Sequence, residues 1–358
     1  MLHSKLTGIK IFNYRNFKQK SLSFSNKHTL LKGKNAVGKT SILEAISFLS
    51  PGNGFKKDLL ENIINSDSMN DGASINLFFR DEGVEQSLKI IFQFKESKLH
   101  KNYLLNDKKI SQQELMNIFQ LFWFSELDKV YFIKDKQYQR NSCNRIMCYF
   151  NSELFKLLNQ YSKLRREKKK IFLTTQDRSW LESIDQQLLP VVKSIMDIKY
   201  DFMVKFNSFM IDHPNTFFSY YLNYDFQEIT AHDFLEKFES EMKKENESKG
   251  ESPLNSLYDP AKAVFSLSHE NTPINQLSSA QSKLLILSFF LDMATFLKLM
   301  QNKITIFLID EIFDNFDIVN LQKVIEYCAK NNFQSFFSST DNFTIKDEIK
   351  DLEIIDIT

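Results

Sequence analysis

The sequence predicts an α/β protein whose core is assembled from both ends of the chain around a mainly helical middle. Three observations carry that prediction. Gly33-Lys34-Asn35-Ala36-Val37-Gly38-Lys39-Thr40 spells G-x-x-x-x-G-K-[ST] between a short apolar run and a helical one. Ile306-Phe307-Leu308-Ile309 is an apolar run closed by Asp310-Glu311, the pattern of a buried strand that ends in carboxylates. From Asn151 to about Lys249, apolar residues recur at helical spacing, as in Leu154, Leu157, Leu158, Tyr161 and again in Leu181, Ile184, Leu188, Val192, Ile195.

The elements follow in order. Gly8 to Phe12 alternates as a strand, Asn13-Tyr14-Arg15-Asn16-Phe17 turns, and Ser21 to Phe24 and Thr29 to Leu31 read as further strands. Ile42, Leu43, Ile46 and Leu49 mark one helix face, ended by Pro51-Gly52. Ile75 to Phe79 and Leu88 to Phe94 read as strands, and Ser111 with Glu114 forms a capping box for a helix reaching Phe119. Leu121 to Phe124 is a buried strand. In the middle, Phe217 to Tyr224 is a short extended piece, and the charged run Glu239 to Glu251 reads as a loop or exposed helix end. Leu277-Ser278-Ser279-Ala280-Gln281 opens a helix with Leu284, Leu287, Phe290 and Leu291 on its apolar face. Phe333 to Ser338 and Leu352 to Ile357 are the closing strands. The expected divisions are 1–122, 123–258 and 259–358, the first and last forming one head and the middle a helical lobe.

Composition narrows the class. The chain has 358 residues, 42% hydrophobic and 25% charged, enough apolar material for a substantial core. No stretch approaches the roughly 18 apolar residues of a membrane helix, and no apolar signal core follows Met1-Leu2-His3-Ser4-Lys5. Cys143, Cys148 and Cys328 lack metal spacing and read as reduced, buried thiols of a cytoplasmic protein. The net charge of +1 excludes a general polycation, so any nucleic-acid contact must come from a local basic surface.

The motifs specify chemistry. Gly33 and Gly38 permit a tight turn whose backbone N–H groups converge on phosphate oxygens, while Lys39 supplies a positive charge and the helix opening there adds its dipole. Thr40 offers a hydroxyl to Mg²⁺, and Ser41 completes the loop Gly33 to Ser41. Asp310 is expected to hold the metal with Thr40, and Glu311 to activate a water. Ser278 with Ala280 and Gln281 reads as a signature segment at a helix start, an anion site facing a second subunit's nucleotide. Asn315-Phe316-Asp317 fits a loop that crosses between subunits. Arg165-Arg166 with Lys168-Lys169-Lys170 is the densest basic run, and Lys56-Lys57 and Lys108-Lys109 lie in loops.

These residues resemble the RecF family of bacterial ATPases, relatives of the SMC proteins. Asn13 to Phe17 resembles the family's N-F-R-N-[YF] turn, and Gly33 to Thr40 with Leu43-Glu44-Ala45 resembles its G-x-N-x-x-G-K-T-x-x-L-E-A. Phe122 to Asp128 is similar to F-F-x-P-E-D-L with Pro replaced. Arg140 to Arg145 keeps only the first Arg of R-R-x-F-L-D, and Tyr161 to Arg166 resembles Y-x-x-x-L-[RK]-x-R. The resemblance implies an SMC/ABC-type P-loop ATPase head with an inserted helical lobe. It further implies ATP and Mg²⁺ as ligands, with Arg15, Asn16, Ser278 and Asp317 near the nucleotide and Lys39, Asp310 and Glu311 in catalysis. The implied activity is a slow, DNA-stimulated hydrolysis of ATP by a homodimer that forms with ATP on single- and double-stranded DNA, without sequence preference. The implied role is repair of replication gaps with RecO and RecR, aiding RecA loading and the SOS response. Arg165, Arg166, Lys56 and Lys57 are the candidate DNA contacts.

Two departures stand out. Ala280 occupies the family's signature Gly, and Asp259-Pro260-Ala261-Lys262 replaces its G-P-H-R segment. An ABC transporter subunit is the first alternative, but it would carry a switch His where this chain has Ser338-Ser339-Thr340. Another SMC-like ATPase, of plasmid or defence systems, is the second.

Overall fold

The structure is a computed structural model that describes residues 4–56, 60–65, 72–95, 98–213, 218–224, 230–247, 258–311, 318–340 and 352–358. The chain divides by packing into two units, Met1–Lys129 with Gln301–Thr358, and Val130–Met300. Segment 259–300, grouped by the sequence reading with the head, therefore packs in the same unit as the helical lobe.

In the first unit, β1 (Lys5–Tyr14), β2 (Phe17–Ser23), β4 (Ala73–Asp81), β5 (Val84–Lys95), β6 (Lys98–Leu105) and β7 (Lys108–Ile110) form an antiparallel sheet of order β2-β1-β4-β5-β6-β7. Ala73, Ile75, Leu77 and Phe79 alternate inward along β4, as a sheet with one covered face requires. β6 escaped the sequence reading because His100 and Lys101 break its apolar alternation. Lys101 nevertheless lies 5.0 Å from the Phe48 ring and 5.5 Å from the Tyr103 ring, and burial pushes its ammonium down to about 8.

The second sheet is parallel, in the order β14-β3-β13-β12-β8, from β3 (His28–Lys32), β8 (Phe119–Phe124), β12 (Ile304–Ile309), β13 (Gln334–Ser339) and β14 (Leu352–Asp356). Every residue of β8, β12 and β13 is buried, which explains their near-continuous apolar runs. Helix α1 (Lys39–Ser47) is buried on nearly every side. Phe48, just past its end, meets Tyr14 and Phe92 edge-on, so α1 and the antiparallel sheet share a core. The Gln334 carboxamide ties the sheets together, accepting from Leu6 N at 2.7 Å and donating to Leu6 O at 2.9 Å. Helix α2 (Gln112–Ile118) has the capping box expected from Ser111 and Glu114.

Helix α3 (Glu126–Lys134) carries the chain into the second unit, where α4 (Lys136–Phe150), α5 (Glu153–Thr174), α6 (Arg178–Asp212), α7 (Ala231–Glu247) and α8 (Ser279–Met300) accompany a small sheet. That sheet has the order β11-β10-β9, from β9 (Tyr221–Tyr224), β10 (Phe265–His269) and β11 (Thr272–Pro273). Helix α9 (Ile318–Lys330) returns to the first unit. Phe150, Phe202, Phe206 and Phe296 stack or meet edge-on at the lobe's centre. Residues 239–247, read from sequence as loop or exposed end, continue α7, because Glu245 is buried and ion-paired inside the lobe.

That ion pair splits the basic run on α5. Arg165 donates through both terminal nitrogens to Glu245, at 2.9 and 3.0 Å, and Lys168 reaches Asp185 at 2.7 Å and Glu245 at 3.2 Å. Arg166, Lys169 and Lys170 point to solvent. Arg165→Ala leaves Glu245 with one cation fewer in a buried site and should lower unfolding free energy by about 3 kcal/mol, whereas Arg166→Ala should change it by about 0.5 kcal/mol at most. Denaturant titration checks both; equal effects would show that the buried pair contributes nothing special.

Candidate nucleotide site

The phosphate-loop motif connects β3 to α1 at the carboxyl end of the parallel sheet. Gly38 has φ +104°, and a Cβ there would lie 2.3 Å from the Phe17 ring and 2.8 Å from Asn16 Nδ2. Only glycine fits, for backbone and for space. At Gly33 the constraint is space alone, since a Cβ would lie 2.5 Å from Ile357 O. Ala36 also takes a left-handed conformation, at φ 66°, the kind of turn that gathers successive amides around an anion. Lys39 is buried, its Nζ donating to the carbonyls of Gly33 and Lys34 at 2.7 Å each, so its charge is held over the loop.

The acids arrive on β12. Asp310 N extends the ladder to Phe124 O at 3.1 Å, and Thr40 Oγ1 donates to Asp310 Oδ1 at 3.1 Å. Glu311 then turns left-handed, at φ 51°, and is exposed. Ser338, at the end of β13, donates to Asp310 Oδ1 at 2.5 Å and accepts from Glu311 N at 2.8 Å. Leu43, Phe55, Trp123, Phe124, Ser125, Asp128 and Leu308 surround a shallow depression next to Asp310. Asp128 is buried there and accepts from the Ser125 hydroxyl at 2.6 Å.

The residues expected in this site are distributed as follows. Gly33 to Ser41, Asp310 and Glu311 come together at one end of the parallel sheet. Asn16 lies against Gly38. Arg15 instead embraces Glu44 of α1, at 2.9 and 2.6 Å, and donates to Asn62 O at 3.0 Å, so its guanidinium braces the loop's helix. Burial, followed by the Glu44 charge, raises the neighbouring Tyr14 hydroxyl well above its ordinary value. In the other unit, Ser278 Oγ accepts from Gln281 N at 3.3 Å and Gln281 Oε1 accepts from Ser278 N at 3.1 Å, a reciprocal cap on an α8 terminus where Ser278, Ser279, Ala280 and Gln281 are all exposed. Lys199, fully buried in that unit and pushed by burial to about 8, holds the 259–262 turn through Pro260 O at 2.6 Å. Lys56 is exposed, and Lys57 and Asn315 to Asp317 lie outside the described residues. Ser338, Glu44 and Phe17 are the site residues that sequence reasoning missed. A polar residue ending an apolar strand was the available signal for Ser338.

Fold and motif together define a P-loop α/β head. The family model described as RecF/RecN/SMC N terminal domain matches residues 5–355, and the chain belongs to that family. The DNA replication and repair protein RecF of Rickettsia conorii is 24% identical over 357 residues, covering 96% of this chain and 98% of that protein. Its counterpart in Rickettsia canadensis is 30% identical over 192 residues, 53% of this chain. The recombination mediator protein RecF, solved as RecF-ATPrS, superimposes with a TM-score of 0.79 at 20% identity, covering 99% of this chain and 96% of that one. A RecF-ATP structure gives 0.75 at 19% identity, over 97% and 95%. The fold is the SMC/ABC-type head with a helical lobe that the sequence predicts.

Proposed function

We propose that this protein is a RecF-type ATPase acting in DNA replication and repair, cytoplasmic, and cycling between a free form and an ATP-held homodimer on DNA. The observation that carries the reading is the contact of Thr40 with Asp310, which joins the phosphate loop to the acidic strand. Backbone amides of Gly33 to Ser41 and the Lys39 ammonium bind the nucleotide phosphates. The Thr40 hydroxyl and Asp310 carboxylate are hard oxygen donors that suit Mg²⁺, and they would hold it. When bound, Mg²⁺ neutralises phosphate charge during transfer. Glu311 orients the attacking water and takes its proton. The exposed α8 start offers the Ser278 hydroxyl proton and a helix N-terminus to the nucleotide of a second copy. Relatives named RecF support the role in replication and repair, and RecO, RecR and RecA are the partners this reading carries with it.

For DNA, α5 supplies a surface. Lys156, Lys163, Arg166 and Lys170 are exposed and follow each other at intervals of seven, three and four residues, one face of a helix. The stripe runs about 21 Å, a length suited to consecutive phosphates and blind to base sequence. Arg165 takes no part, its guanidinium being held by Glu245.

Glu311→Gln keeps shape and loses the base, so single-turnover hydrolysis should fall by roughly 10²-fold or more while ATP binding persists and DNA dissociation slows. Unchanged hydrolysis would remove Glu311 from catalysis; slowed hydrolysis with unchanged DNA lifetime would refute the proposed cycle, in which bound ATP holds the dimer on DNA. The stripe is tested separately. Replacing Lys163 and Arg166 by Gln should lower the slope of log affinity against log salt by about 2, equally on different DNA sequences. An unchanged slope would move the DNA surface elsewhere.

A further inference from the structure

The end of β13 holds a residue with no assigned role whose hydroxyl touches both acids of the site. Ser338 is fully buried, and its Oγ makes contacts of two kinds. It donates its one proton to Asp310 Oδ1 at 2.5 Å and accepts the Glu311 amide proton at 2.8 Å. A hydroxyl has one donor, and here it is committed to the carboxylate, which leaves a lone pair for the amide. Asp310 Oδ1 also receives the Thr40 hydroxyl at 3.1 Å, so the chain Thr40–Asp310–Ser338–Glu311 is continuous. Strand order makes this possible, since β13 lies between β3, which feeds the phosphate loop, and β12, which delivers the acids.

The contact acts where the backbone is unfavourable. Glu311 is a non-glycine residue at φ 51°, a conformation L-residues avoid. Glu311 stands two residues past the end of β12, where its left-handed backbone turns the chain sharply, and its amide is the one Ser338 holds. The same hydroxyl therefore fixes the rotamer of the metal-binding carboxylate and the backbone direction from which the water-activating carboxylate departs.

We propose that Ser338 is a positioning residue for hydrolysis, setting Asp310 for the metal ion and Glu311 for the water through one hydroxyl. The inference rests on the ATPase reading above. Partners of metal-binding carboxylates typically tune affinity and activity by 10- to 100-fold, on the order of the effect expected here.

The experiment compares wild-type protein, Ser338→Ala and Ser338→Cys, the last keeping the volume with a weak donor. A fluorescent ATP analogue is titrated with EDTA and then with increasing Mg²⁺, and single-turnover hydrolysis and thermal unfolding are followed in parallel. Both variants should bind the analogue without metal within about twofold of wild type, because the phosphate loop is intact. Half-saturation by Mg²⁺ should rise, and hydrolysis fall, by about tenfold in each. Wild-type Mg²⁺ dependence and hydrolysis in the Cys variant would overturn the inference, even if the Ala variant fails to fold. Loss of metal-free binding in a Cys variant that unfolds at the wild-type temperature would overturn it too, since the effect would then lie in the loop. Absence of nucleotide binding by wild-type protein would fall on the ATPase reading itself and remove the inference with it.

Discussion

The meeting of Thr40 with Asp310 is the constraint on which the first unit depends. Two loops leaving β3 and β12 can touch only if those strands finish at the same end of the sheet and lie close together in it, and here a single strand, β13, separates them. Parallel pairing provides the common end, and complete burial of β12 and β13 fixes their register against the neighbouring strands. A one-residue slip of β12 would turn Asp310 to the other face. Gly33 and Gly38 serve the same contact from the other side, letting the loop pass under Ile357 and over Phe17.

Charge is sorted by where it is used. Arg15 with Glu44 and Arg165 with Glu245 are ion pairs with little exposure, and each secures a helix: α1 below the phosphate loop, and α5 against α7. Such pairs are costly to break, since a single partner left behind stays desolvated. Cations that remain outside, such as Lys163, Arg166 and Lys170, are the ones available to phosphates. A nearly neutral chain can thus keep a local basic stripe without becoming a general polycation.

The phosphate loop and the acidic strand were legible in the sequence because each is contiguous, with its function written in local spacing. Ser338 was not, because its partners lie 27 and 28 residues away and meet it only through strand order. Arg165 and Arg166 look alike in sequence, and what separates them is helical phase against Glu245, 80 residues further on. Arg15 was expected at the nucleotide, yet its neighbour Asn16 borders the loop while Arg15 holds Glu44. In β10, Phe265 and Leu267 alternate with polar residues as a strand does, but the alternation ends after these two apolar positions, which makes the signal short.

Lys39 tests the central claim most directly. Its side chain is buried but donates to the loop carbonyls of Gly33 and Lys34, so its removal should leave the fold intact at a modest loss of stability. Calorimetric titration of ATP into wild-type and Lys39→Ala protein, with thermal unfolding in parallel, is the measurement. Loss of one charged hydrogen-bonding group should cost about 1.5–3 kcal/mol of binding, or more than tenfold in affinity, while unfolding stays cooperative at a temperature only modestly lowered. Affinity retained within about threefold would contradict the phosphate-loop assignment, and with it the account of how this chain works.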